Sequence, residues 1–298
     1  EISACLVGSE MCIRDRIITM LLRYPGGKSR LLSHIVPCIT DQVENNQNIL
    51  CYCEPFLGAG SIAFSILKKD NHIKKIILND RDYALSCLWN AVLFNFEELE
   101  EKILKYEPTV VDFFHFKEVL TRREESLKEE DQISLSLKKI AIHQMSYSGL
   151  GVMAGGPIGG KKQNSNYNIS CRWNPSNIVK KFKKIRMALL KYNINEVFCI
   201  DYKKIINKVN EHALMYLDPP YYLKGQEMYM HGFGYDEHVE LSKSLYQTKA
   251  KWVLSYDDCD EIKDLYKWAN MEEFNARYYI KTIRNKKEIL VFSPNYYD

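Results

Sequence analysis

Five short apolar segments of this chain each stop at or beside an acidic residue. Ile49 to Cys53 meets Glu54, Lys75 to Leu78 meets Asn79-Asp80, Glu196 to Ile200 meets Asp201, Ala213 to Leu217 meets Asp218, and Lys251 to Ser255 meets Tyr256-Asp257. Runs of that length read as buried strands, and helical patterns between them predict an α/β fold with a parallel sheet and right-handed crossovers. The strand ends of such a sheet share one rim, where open α/β folds hold their ligands. Acids scattered over an ordinary surface would not fall so regularly. Near the C-terminus, Arg277 to Ile283 and Glu288 to Phe292 alternate with period two, which predicts an antiparallel hairpin turning at Arg284-Asn285-Lys286-Lys287.

The fourth of these ends is the most specific. Asp218-Pro219-Pro220-Tyr221 follows the apolar run at once, and two prolines stop the strand because neither donates to a ladder. A carboxylate, a stiff carbonyl and an aromatic ring are thereby presented together. Such a set suits an exocyclic amine: Asp218 and the Pro219 carbonyl each accept one N–H, and Tyr221 stacks on the ring that carries the amine. A base inside a duplex reaches such a site only after leaving the stack, at a cost of roughly a few kcal/mol.

The first two ends carry a ligand pattern. Gly58-x-Gly60-x-x-Ala63 follows the first strand, and Asp80 lies where a ribose-binding acid stands in Rossmann-type nucleotide sites. The glycines alone do not separate a nicotinamide dinucleotide from S-adenosylmethionine. Glu54 separates them: beside a pyrophosphate it repels, whereas it suits the cationic amino-acid end of S-adenosylmethionine. Phe56 adds an apolar face. Upstream, Tyr24-Pro25-Gly26-Gly27-Lys28 places a cation at the start of a helix, against the helix dipole, which points to a carboxylate or phosphate as its partner.

Between Asp80 and Glu196 the charge pattern changes. Glu97 to Asp131 holds twelve acids against six basic residues, whereas Gln132 to Asn195 holds no acid and eleven Lys and Arg. That stretch reads as an inserted, phosphate-facing lobe, with Tyr147, Lys161, Lys162, Arg172, Trp173, Lys180, Lys181, Lys183 and Lys184 as nucleic-acid contacts and Gly149 to Gly160 as a mobile loop or hairpin. A basic face that merely balances the acidic helix is the alternative. The expected division is a catalytic domain over 20–95 and 196–298 with a recognition lobe over 96–195. Residues 1–19 lack the regions of a signal peptide and read as a translated sequencing adapter, with Met20 the expected start. No run approaches the roughly 20 apolar residues of a membrane span, and nine cysteines without a C-x-x-C pair fit a reduced cytoplasmic setting. No metal site is expected.

Together these motifs, in this order, make the chain resemble the Dam-like D12 class of adenine-specific DNA N6-methyltransferases over nearly everything after Met20. The resemblance implies a Rossmann-like S-adenosylmethionine-dependent methyltransferase sheet with an inserted, mainly helical target-recognition lobe. It implies Asp218, Pro219, Pro220 and Tyr221 as the catalytic signature. Tyr24, Lys28, Glu54, Phe56, Gly58, Gly60, Asp80, Asp201, Tyr202 and Asp218 become the cofactor set, and double-stranded DNA the partner. The region His143 to Trp173 resembles the family's recognition hairpin in outline. A cognate restriction endonuclease is a further candidate partner, and a monomer or weak dimer the expected state. The alternatives are methylation of cytosine N4, a catalytically silent DNA-binding protein, and a nicotinamide-dependent oxidoreductase. Methylation at cytosine C5 is disfavoured, since the one Pro-Cys pair, Pro37-Cys38, falls inside the first predicted helix.

Overall fold

The computed structural model describes residues 20–22, 32–223, 233–280 and 282–298, and for 275–286 this covers the backbone alone. Its centre is a seven-stranded sheet of β1 (Cys51–Glu54), β2 (Lys75–Asn79), β3 (Val197–Phe198), β4 (Ala213–Leu217), β5 (Lys251–Asp257), β6 (Asn270–Ile280) and β7 (Thr282–Phe292), in the order β3-β2-β1-β4-β5-β7-β6. The first five strands in that order are parallel; β7 runs antiparallel to both β5 and β6. This is the Rossmann-like methyltransferase sheet expected, and β1 and β4 are neighbours, so Glu54 and Asp218 leave adjacent strands on the same rim.

Among the described residues the helices are α1 (Leu32–Asn45), α2 (Ser61–Leu67), α3 (Tyr83–Phe94), α4 (Phe96–Lys105), α5 (Val110–Leu120), α6 (Glu124–Leu127), α7 (Gln132–Met145), α8 (Pro175–Leu189), α9 (Tyr202–Ile206), α10 (Tyr235–Gln247) and α11 (Asp260–Leu265). Side chains alternate across the sheet, as the two-residue strand period requires. Tyr52, Ile76, Leu78, Leu214, Tyr216 and Val253 pack with α1, α2, α3, α4 and α8. Cys53, Ile77, Met215, Leu217, Trp252 and Leu254 pack with α9, α10 and α11. Every residue of β4 is buried, which is what an unbroken apolar run in a covered parallel strand gives.

A third apolar cluster joins α5, α7 and the segment that follows, with Phe113, Phe116, Leu135, Ile142, Met145, Ala154 and Ile169, to Ala84 and Cys87 of α3. Helix α3 is therefore covered on both sides, and it is apolar nearly all round for that reason. By contrast, α4 and α8 bury Phe96, Leu99, Ile103, Ile178, Phe182 and Ile185 in the sheet-side core. The stretch 96–195 thus begins and ends with a helix of the sheet's own layer.

The C-terminal hairpin corrects one expectation. Ile280 pairs with Thr282, and Arg284 to Lys287 lie within β7 opposite Tyr278 to Asn275 rather than in a turn. A backbone ladder uses N–H and C=O groups, so a polar run that imitates a turn can continue a strand.

Candidate active site

The candidate catalytic corner forms where β4 ends. Asp218 Oδ1 accepts from the Ser255 hydroxyl at 3.2 Å, and Ser255 Oγ lies 3.0 Å from the Tyr216 hydroxyl. Pro219 is buried behind Asp218. Tyr221 donates its hydroxyl to Glu288 Oε2 at 2.8 Å, and its ring lies 6.0 Å from that of Tyr256. Burial first, then the charges of Asp218 and Glu288, hold the Tyr221 hydroxyl well above its ordinary pKa, so it remains a donor. Leu223 N–H donates to Asp257 Oδ2 at 2.9 Å, which ties the chain after the prolines to β5. Ser255, Tyr216 and Glu288 were not read as functional from the sequence; the cross-strand register that places them is a long-range property.

Beside this corner stands a second cluster of acids. Glu54 is only 1% exposed and accepts from the Tyr52 hydroxyl at 2.5 Å. Burial pushes its carboxyl up to about 8, with the Tyr52 hydrogen bond working against the rise and the Asp218 charge adding to it. Asp80 Oδ2 accepts from Gly58 N–H at 2.7 Å and Oδ1 from Asp82 N–H at 2.9 Å. Burial, with the Asp82 charge second, pushes the Asp80 carboxyl up to about 6. Asp80 thus holds the glycine loop in shape from the end of the neighbouring strand.

The loop needs its glycines for two different reasons. Gly60 has φ +67°, and a Cβ there would come within 2.4 Å of the Trp89 ring, whose Nε1–H donates to Gly58 O at 3.0 Å. Gly58 has φ +52°, and among the described residues a Cβ there would meet nothing within 4 Å, which leaves that side of the loop as a candidate ligand face. Asn79, unremarked in the sequence, stitches the rim: its side chain donates to Pro55 O and Ile200 O and accepts from Ile200 N–H, at 2.8, 3.1 and 3.0 Å. Phe56, Tyr202 and Phe233 form an aromatic wall with ring centroids 5.3 to 6.1 Å apart. Asp201 caps α9 by accepting from Lys203 N–H at 2.8 Å. Glu54, Phe56, Gly58, Asp80, Asp201, Tyr202 and Asp218 therefore follow the ends of neighbouring strands, whereas Tyr24 and Lys28 lie outside the described residues.

A family model described as D12 class N6 adenine-specific DNA methyltransferase matches residues 24–280. The chain belongs to that family. It is also similar to the Type II methyltransferase M.MjaIII of Methanocaldococcus jannaschii, at 25% identity over 282 residues that cover 90% of this chain and 94% of the relative. The protein is thus a site-specific DNA adenine methyltransferase, and the nicotinamide-dependent alternative falls away.

In this methyltransferase helix α7 is anchored at the rim. Lys139 of α7, 5% exposed, pairs with Asp82 Oδ2, and Asp82 in turn bonds Asp80 through its backbone. Beyond α7 the chain folds back on itself, with Ser146 bridging Pro157 and Ile158 N–H donating to Met145 O at 2.8 Å. His143 shapes this fold: its Nδ1 meets Gly149 O at 2.9 Å, and a Cβ at Gly151 would come within 2.7 Å of its ring. Ser148 has φ 57° there, a strained value for a serine.

The candidate DNA contacts separate into groups. Tyr147, 67% exposed, and the exposed Lys161 and Lys162 lie on the folded-back segment. Arg172 reaches Ser146 O at 3.5 Å, and Trp173 donates to Tyr106 O at 2.9 Å, so both brace the segment. Helix α8 leads instead to Asn193, which bridges Lys75 at the start of β2, at the strand end opposite the rim that carries Asp218. Lys180 and Lys184 are exposed on it. Burial pulls Lys181 down to about 8. Lys183 pairs with Glu100 at 2.8 Å and Arg186 lies 3.9 Å from Glu97, so two of these cations face the acidic helix α4.

Proposed function

We propose that this methyltransferase acts on an adenine extruded from duplex DNA and that Asp218, Pro219 and Tyr221 hold the base. The observation that carries the reading is that Asp218 and Glu54 leave adjacent parallel strands, with the open face of Gly58 between β1 and β2. Base and cofactor thus meet on one rim.

The residues fit S-adenosylmethionine. Glu54, Asp80 and Asp218 make the rim acidic, which suits a ligand with a sulfonium and an ammonium; Phe56 and Tyr202 give an apolar wall for its adenine. S-Adenosylmethionine, when bound, supplies a methyl group on an electron-deficient sulfur. Glu54 holds the ammonium, and Asp80 the ribose hydroxyls. The Asp218 carboxylate and Pro219 carbonyl each accept an N–H of the target amine, which frees its lone pair from the ring and aims it toward the cofactor pocket. Asp218 then takes up the proton that the amine sheds. Tyr221, fixed by Glu288, stacks on the base and offsets part of the unstacking cost.

The folded-back segment around Tyr147, Lys161 and Lys162 contacts the duplex, and of the α8 lysines the exposed Lys180 and Lys184, rather than Lys183 with its Glu100 partner, are the candidates to extend the basic surface. The setting is cytoplasmic, the unit a monomer or weak dimer, and a cognate restriction endonuclease a partner in keeping with the Type II methyltransferase it resembles. Asp218→Ala tests the reading: methylation of unmethylated plasmid DNA should vanish while cofactor affinity is kept. Retained turnover would remove Asp218 from the mechanism. Nucleoside mass spectrometry of the treated DNA should show N6-methyladenine, and N4-methylcytosine in its place would favour the cytosine alternative.

A further inference from the structure

We propose that Ser255, backed by Tyr216, is a positioning residue for Asp218: a buried chain of two hydroxyls sets the carboxylate that grips the target amine. The proposal rests on the assignment of Asp218 to that grip.

The sheet register builds the chain. Tyr216 is level with Val253 and Leu217 with Leu254, so the next residues along the two strands, Asp218 and Ser255, stand side by side. Strand alternation puts Tyr216 on the same face as Asp218. The Ser255 hydroxyl then lies 3.2 Å from Asp218 Oδ1, with the Tyr216 hydroxyl 3.0 Å behind it. Both are closed to water, Ser255 at 0% and Tyr216 at 2% exposure.

The direction of these bonds follows from proton count. An ionised carboxylate only accepts, and a serine hydroxyl has a single proton to give. Ser255 therefore donates to Asp218, and Tyr216 donates to Ser255. Burial, then the Asp218 charge, keep the Tyr216 hydroxyl protonated far above its ordinary range. Both protons point toward the carboxylate, and in such a chain each bond polarises the next.

This matters because the terminal torsion of an aspartate is broad, so the hydrogen bonds to its oxygens set the plane of the carboxylate. Methyl transfer needs the amine lone pair in line with the methyl carbon, and the angle of the carboxylate sets the angle of the amine. A tether on Oδ1 fixes the plane of the group without touching base or cofactor. A serine present only to fill space would support folding and leave the rate per bound complex unchanged.

The experiment compares Ser255→Ala, Ser255→Thr, Tyr216→Phe and Asp218→Ala in single-turnover transfer of a radiolabelled methyl from S-adenosylmethionine to unmethylated plasmid DNA, with cofactor and DNA affinities measured separately. Ser255→Ala should slow transfer about 10- to 100-fold, while both affinities stay within about two-fold. Ser255→Thr, which keeps the hydroxyl, should recover most of the rate. Tyr216→Phe should slow it about 3- to 10-fold. The proposal is overturned if Ser255→Ala transfers within about two-fold of the parent, if Ser255→Thr is as slow as Ser255→Ala, or if cofactor affinity falls as far as the rate. Should Ser255→Ala fail to fold, a parental rate in Tyr216→Phe overturns it. An active Asp218→Ala would remove the underlying assignment, whereas an inactive one beside a fast Ser255→Ala removes the hydroxyl chain alone.

Discussion

Tyr221 and Glu288 meet across 2.8 Å although 67 residues separate them, with the tyrosine just past β4 and the glutamate on antiparallel β7. Glu288 is 2% exposed and stands opposite Asp257 of β5, so the last strand pair of the sheet reaches back to hold the Tyr221 ring of the proposed catalytic corner. Loss of either partner removes this hydrogen bond from a buried site. Tyr221→Phe and Glu288→Ala should each lower the unfolding free energy by about 1–3 kcal/mol. The double variant should lose less than the sum, and chemical denaturation of all four proteins reads the difference. Additive losses would mean that the bond contributes nothing in solution.

The two glycines of the β1 loop should respond differently to alanine. Gly60→Ala meets both a left-handed φ and the Trp89 ring, and should cost about 1–3 kcal/mol of stability. Among the described residues Gly58→Ala meets only the backbone strain, and its methyl points toward the proposed ligand face. It should weaken cofactor binding more than it lowers the melting temperature. Calorimetric titration beside thermal melting checks both, and equal effects at the two positions would contradict the open face at Gly58.

If Glu54 holds the cofactor's ammonium as proposed, cofactor binding is proton-linked. Its carboxyl stands at about 8 in the folded chain, against an ordinary 4.5. Between those values the folded protein holds a proton that the unfolded chain has released, so this residue lowers stability as pH rises through that window. A cationic ligand favours the ionised form. S-Adenosylmethionine binding at pH 7 should therefore release about one proton and tighten as pH rises toward 8. Titration in buffers of different ionisation enthalpy measures the release. It should disappear in Glu54→Gln, and unchanged release there would assign the proton elsewhere.

The basic residues should divide by position. Replacing Lys161 and Lys162 together by alanine should reduce the slope of log affinity for duplex DNA against log salt by about 2. Lys183→Ala should leave that slope alone, since Lys183 faces Glu100; the surface pair is worth about 0–1 kcal/mol. A reduced slope for Lys183→Ala would place α8 against phosphate.

Lys139 should matter to the rim through Asp82. Lys139→Met leaves Asp82 without its buried cation, and because the Asp82 side chain is 36% exposed the loss should be moderate, about 1–3 kcal/mol. Asp82→Asn in the same chain should restore part of it. Denaturation midpoints decide this, and a second loss instead of a recovery would mean that the Asp82 charge is held by partners other than Lys139.

The strand ends were legible in the sequence because each is a local event: an apolar run, then a proline, glycine or acid that cannot continue it. That local chemistry placed Glu54, Asp80 and Asp218 on one rim and identified the D-P-P-Y corner. The hairpin turn was misplaced because side-chain polarity does not dictate backbone pairing, and the basic run Lys180 to Arg186 did not reveal that Lys183 and Arg186 meet the acids of α4. Ser255, Tyr216, Glu288 and Asn79 act through partners as many as 121 residues away. Such pairings depend on strand order and register, which arise only when the whole sheet closes its two apolar faces. The sequence alone therefore determined which chemistry stands at the rim, and the tertiary structure decided what holds it there.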